Sequence, residues 1–154
     1  MFNLSYANFA NAWRRYAEAG GTQLLAELGD NAQSAPLGNG ALLTSFALLS
    51  LGVPLSGSQH ISAGQLAGAR AFNGANRLAD WLGERFAAPE IISLEHGLGE
   101  VAYHLFGRRG IVAFIQGSGP QGGLIGLLDG RNASALCCAA ETRHPLEVRF
   151  WELH

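Results

Sequence analysis

The sequence predicts an α+β fold over a single domain, residues 1–154, with N-terminal helices packed on a C-terminal antiparallel sheet. Three observations predict it. Residues 41–51 carry only Thr44, Ser45 and Ser50 as polar side chains, all small. An element apolar nearly all round must be buried on every side. Around that run, apolar residues recur at three- and four-residue steps, the period of helices. From Gly110 the period changes, and β-branched and aromatic residues gather in short runs separated by glycine-rich turns.

Each element follows from local signals. Residues 6–19 place Phe9, Ala12, Trp13, Tyr16 and Ala17 at helical spacing after Ser5, a capping residue, and before Gly20-Gly21, which predicts an end. Residues 24–28 predict a short second helical piece, followed by a polar stretch, 29–36. Gly38, Asn39 and Gly40 form a permissive entry to the central helix, with Asn39 a candidate N-cap. Gly52 and Pro54 stop that helix after about three turns. Residues 56–64 read as a polar loop containing His60. Residues 65–86 read as one helix, on the spacing of Leu66, Ala69, Phe72, Ala75, Leu78, Ala79, Leu82 and Phe86. Pro89 breaks the chain, and 91–106 reads as a poorer helix interrupted by Gly97 and Gly99. Strands are expected at 110–116 and 123–128, the latter ending at the Asp129-Gly130 turn pair. A third is expected at 133–139 and a last at 148–153.

The totals exclude several classes. A chain of 154 residues is long enough for a real core, and 48% apolar against 14% charged residues argues against disorder. A net charge of −2 and a pI near 6.2 offer no basis for nucleic-acid binding. No run reaches the roughly 20 apolar residues of a transmembrane helix. Met1–Tyr6 lacks the basic and apolar regions of a signal peptide, so synthesis in the cytoplasm without one is expected. Cys137 and Cys138 are adjacent, which permits neither a disulfide framework nor a spaced metal quartet. Gly117–Gly122 is not a phosphate loop, because no Lys-Ser/Thr follows. No cofactor and no metal are expected.

The central run resembles the helix of the fourth family of type VI secretion amidase effectors, papain-like enzymes that cut peptidoglycan stem peptides. That family starts the helix with Asn-x-Cys-x-Ile-Arg-x-Ser and ends it with Gly-x-Pro. Gly38, Ala41, Leu42, Ser45, Gly52 and Pro54 follow the pattern here, but the nucleophilic Cys falls on Gly40 and the Arg on Leu43. The second half is similar too. Arg109-Gly110-Ile111-Val112-Ala113-Phe114 resembles the strand entering the family's sheet, and Phe150-Trp151-Glu152-Leu153 its last strand. Gly123–Gly130 resembles the family's Gly-His-x-x-Leu-Trp-x-Gly strand, with the catalytic His falling on Leu124 and the Trp on Leu128. The third catalytic acid falls within 132–138, which holds no carboxylate.

The resemblance therefore implies a papain-like domain whose catalytic centre is lost. Amide cleavage in such a site needs a thiolate, an imidazole and a group that orients it. The chain is expected to act by binding a protein or other apolar partner, with a cleft formed by Asn39, Gly40, Ala41, Leu124 and Gly126. Gly40 is expected at an open mouth, where even a large ring would leave the fold intact. The family also implies delivery by a type VI system into a recipient cell, and a protein partner such as a target, an immunity protein or a secretion component. The competing expectation is an active hydrolase with a relocated nucleophile, Cys137 or Cys138, and His144 as its base. On a strand, one of the two cysteines would face the core and the other away; a vicinal disulfide is the alternative. His96, Glu100 and His104 would share one helix face, a solvated face sooner than a zinc site.

Overall fold

The computed structural model describes residues 3–29, 40–117 and 123–154, and within them every side chain but those of 19–21. Asn39, Gly38, the stretch 30–36 and most of the connection 117–122 lie outside the described residues.

The first helix, α1 (Tyr6–Leu28), starts at the expected cap, where the Ser5 hydroxyl accepts from the Asn8 amide at 3.2 Å. It does not stop at Gly20-Gly21. A glycine costs a helix about 1 kcal/mol relative to alanine. Here Phe9, Tyr16, Leu24 and Leu28 all bury on one side of the helix, and that shared burial outweighs two glycines. The central helix, α2 (Gly40–Ser50), is buried from Ala41 to Leu48; Leu51 lies beyond it and is exposed.

Residues 56–74 depart from the expected loop and helix. β1 (Gln59–His60) pairs antiparallel with β2 (Arg70–Ala71). The next helix, α3 (Ala75–Arg85), therefore starts ten residues later than the spacing predicts. The physical reason is tertiary: Ser45 inside α2 accepts from the Phe72 amide at 3.0 Å and donates to the Phe72 carbonyl at 3.2 Å. That pair holds residue 72 extended.

The expected helix at 91–106 is also divided. β3 (Glu90–Ile92) is recruited by an edge pairing that local periodicity cannot reveal, and α4 (Leu98–Leu105) begins after Gly97. β4 (Arg109–Ile115) and β5 (Leu124–Asp129) form as expected. The expected strand at 133–139 is instead a helix, α5 (Ala133–Glu141), with Ala133, Cys137 and Ala140 buried at helical spacing. A short apolar run fits either period. β6 (Glu147–Glu152) closes the chain.

The four-stranded sheet has the order β3-β6-β4-β5, antiparallel throughout. Alternate residues feed opposite faces. Ile111, Ala113, Ile125, Leu127 and Trp151 join Phe9, Leu48, Leu78 and Leu82 of the first three helices. Val112, Phe114, Leu128, Val148 and Phe150 join Val101, Leu105 and Cys137 of α4 and α5. A third cluster, with Tyr16, Leu42 and Phe46, fills the space between α1, α2 and the β1–β2 hairpin. α2 thus contributes to two clusters at once, which is why it carries no polar face. Among the described residues, no helix is long and apolar enough to cross a membrane.

Candidate functional site

The start of α2 lies against the backbone of β5. A Cβ at Gly40 would overlap the carbonyl oxygen of Ile125, so only glycine fits at this approach. The resemblance implies the family's nucleophile at this position. The structure leaves no room for any side chain there unless α2 moves away from the strand. The expectation that Gly40 borders an open mouth is therefore corrected: it is half-buried, and the obstacle is main chain, which cannot rotate aside.

The other candidate cleft residues are distributed differently. Ala41 is 2% exposed and belongs to the first core cluster. Gly126 is buried, with Trp13 of α1 at ordinary contact distance from where its Cβ would stand. Leu124 is half-buried and packs against the cluster under α4 and α5. The structure thus brings Gly40 to β5 one residue away from Leu124, while the Leu124 side chain contributes to packing. Leucine and glycine supply neither base nor nucleophile.

The segment that would provide the orienting group is committed elsewhere. Asn132 accepts from the Asp129 amide at 2.9 Å and donates to the Leu127 carbonyl at 2.9 Å. Asp129 accepts from the amides of Arg131 and Asn132, at 2.8 and 3.0 Å. Both side chains shape the turn from β5 into α5, as the turn reading of Asp129 implies.

Cys137 and Cys138 are both free thiols. One faces the core and the other solvent, as expected, although on a helix. Burial pushes the Cys137 thiol up to about 11, with Cys138 adding to the shift. A nucleophilic cysteine needs the opposite shift. Cys138 is exposed, and His144 lies in an exposed turn with φ at 47°. His96 sits in the turn before α4, so it does not share a helix face with Glu100 and His104, which approach to 3.7 Å on exposed side chains. His60 is exposed on β1.

Two features were not singled out from the sequence. Tyr103 and Phe106 are 77% and 72% exposed at the end of α4, an aromatic pair outside both layers. Their three-residue spacing was the available signal, hidden because the segment read as one longer amphipathic helix. The second is Glu27, 7% exposed, in a pocket beside Tyr16. It belonged to a five-residue helical piece with nothing to mark the acid as buried.

No protein-family model and no curated protein sequence matches this chain. Solved structures do. A chain of the effector–immunity system Tae4/Tai4 from Salmonella typhimurium matches with a TM-score of 0.69 and 16% identity, over 99% of this chain and 100% of that one. The Tae4–Tai4 type VI effector–immunity complex from Enterobacter cloacae gives 0.67 and 14% identity over the same shares. Tae4 from Salmonella typhimurium in complex with Tai4 from Enterobacter cloacae gives 0.64 and 18%, over 97% and 99%. The chain has the α+β fold of the Tae4 effectors.

Proposed function

We propose that this chain is a catalytically degenerate protein of the Tae4 effector fold that acts by binding a protein partner, as a type VI effector-like toxin in interbacterial competition. The observation that carries the reading is Gly40 at the start of α2. Its missing side chain is replaced by the backbone of Ile125, so the nucleophile is absent and its space is filled. Leu124 and the turn-bound Asn132 extend the loss to the other two roles. The complexes of Tae4 with Tai4 support a protein partner for this chain, an immunity protein or a component of the secretion machinery. Tyr103 and Phe106 are the exposed aromatic side chains such a partner would cover. Of the candidate cleft, Gly40, Ala41, Leu124 and Gly126 would then serve packing more than recognition.

Incubation of purified protein with peptidoglycan is the direct test. No stem-peptide fragments should be released, and Tyr103→Ala with Phe106→Ala should weaken capture of an immunity-type partner without lowering the melting temperature. The second reading, a relocated nucleophile, is favoured by one observation, the exposed thiol of Cys138. Turnover abolished by Cys138→Ala or Cys137→Ala would establish that reading and end the first.

A further inference from the structure

The connection between β1 and β2 folds over the end of α1 as a strap, residues 62–68. The Ile61 carbonyl accepts from the Gly68 amide at 2.9 Å, and the Gly64 carbonyl from the Ala67 amide at 3.2 Å, so the strap closes on itself. Buried Ile61 and half-buried Leu66 fasten it to the third cluster. The amides of Ser62 and Ala63 both donate to the Glu27 carbonyl at 2.9 Å, which draws it down onto the helix. Gly64, at φ +81°, then crosses the Glu27 carboxyl so closely that a Cβ there would stand 2.6 Å from Oε1. Beside this crossing is a cavity of about 630 Å³, lined by Arg15, Tyr16 and Gln23 of α1 and by residues 64–66 of the strap.

The crossing seals the carboxyl. Oε2 is buried and has no hydrogen-bond partner among the described residues. Tyr16 and Gln23 donate to the carboxyl, and the Arg15 guanidinium acts on it through space. Ser50 of α2 and Gln65 of the strap are uncharged, and His60 and Arg70 of the β1–β2 hairpin are not among the described residues that line the cavity. Burial opposes Tyr16, Gln23 and Arg15 and is the larger effect, holding the carboxyl above the usual carboxylate range. An ionised group sealed in with one oxygen unpaired costs more than a neutral group in the same place. Tyr16 stays neutral throughout, because burial first and Glu27 next raise its hydroxyl.

We propose that residues 62–68 are a proton-controlled strap, closed over α1 while the Glu27 carboxyl is neutral and lifted when it ionises. Lifting brings water to the unpartnered oxygen and frees the amides of Ser62 and Ala63. The sealed carboxyl takes a proton and no larger group. Ionisation is easier with the strap lifted, where the carboxyl has its ordinary value. The closed form is therefore fully favoured below the ordinary carboxylate range and loses ground as the pH rises from there. It reaches its floor above the raised value of the closed state. Because residues 64–66 form one wall of the cavity, the same proton sets how open that cavity is. The device is independent of the lost catalytic centre and of the proposed partner surface on α4.

Amide hydrogen exchange of the full chain, followed residue by residue from about pH 4 to about pH 8 and corrected for the intrinsic rate, tests the assignment. Opening at Ser62 and Ala63 should rise about three- to tenfold across that range, one pKa unit being a factor of ten. The Phe72 amide, held by Ser45, should not follow. Glu27→Gln keeps the shape and removes the charge, and should hold Ser62 and Ala63 at their acid-side protection throughout. Arg15→Gln removes the exposed cation that favours the ionised form on the closed, water-poor side, and should enlarge the rise. A flat wild-type profile, an equal rise at Phe72, or no enlargement in Arg15→Gln overturns the proposal. So does a rise that survives in Glu27→Gln, which would belong to His60. If Glu27→Gln fails to fold, the wild-type and Arg15→Gln profiles still decide it.

Discussion

At the scale of single residues, Gly40 sets how closely α2 approaches β5. Restoring the resembled family's chemistry by Gly40→Cys with Leu124→His puts a Cβ into the Ile125 carbonyl. Overpacking against side chains costs about 1–3 kcal/mol, and main chain yields less readily. The double variant should therefore unfold at lower urea concentration than the wild type and still release no stem peptides from peptidoglycan. Stem-peptide release by that variant would mean that α2 moves off β5 easily and that the site is dormant, not dismantled. Leu124→His alone should cost less, because that side chain is only half-buried.

Elements are joined by a few polar contacts whose loss is measurable. Ser45 is fully buried within α2 and satisfies both the amide and the carbonyl of Phe72. Ser45→Ala should cost about 1–3 kcal/mol in chemical denaturation, because both backbone groups are left unpaired in the core. A loss below about 0.5 kcal/mol would mean that water replaces the hydroxyl. Arg108 does comparable work at the sheet edge. It donates to both carboxylate oxygens of Glu90 on β3, at 2.6 and 3.0 Å, and to Glu152 on β6 at 2.9 and 3.1 Å. It also stands over the Phe150 ring at 4.6 Å. Glu90 in turn is held below its ordinary carboxylate range, first by its hydrogen bond to Arg108. β3 is only three residues long, so this clamp matters more than its ladder. Arg108→Lys keeps the charge but not the planar fork. It should cost about 1 kcal/mol and speed amide exchange along β3 while leaving β4 and β5 protected. Unchanged exchange at Ile91 and Ile92 would count against the clamp.

For the molecule as a whole, the sheet is shared by two helical layers, and neither layer has a core without it. Trp13, Trp81 and Trp151 all report on the layer of α1, α2 and α3. The buried Cys137 thiol reports on the opposite layer, under α4 and α5. Since residues of β4 alternate between the two clusters, losing one layer should destroy the other. Tryptophan fluorescence and the appearance of a second thiol reactive toward a maleimide, after Cys138, should share one midpoint in urea. Separate midpoints would show that the α4–α5 layer opens on its own.

The sequence by itself determined the α+β class, the buried central helix, the strands β4, β5 and β6 and the capped start of α1. Those elements carry their signals locally: an unbroken apolar run, a cap, a change of period. The resemblance read from it implies glycine and leucine where the family has its nucleophile and base. Tertiary structure decided the remainder. It carried α1 through two glycines because both flanks bury on the same side, and it delayed α3 because Ser45 holds Phe72 from another element. β3 was cut from an expected helix by pairing with a strand more than fifty residues away, and α5 formed where an apolar run fitted either period. The same limit hid the two most informative sites. Nothing near Gly40 in the chain announces the Ile125 carbonyl beside it, and nothing near Glu27 announces the loop that covers it. Burial and close approach are set by residues distant in sequence, and only the folded chain brings them together.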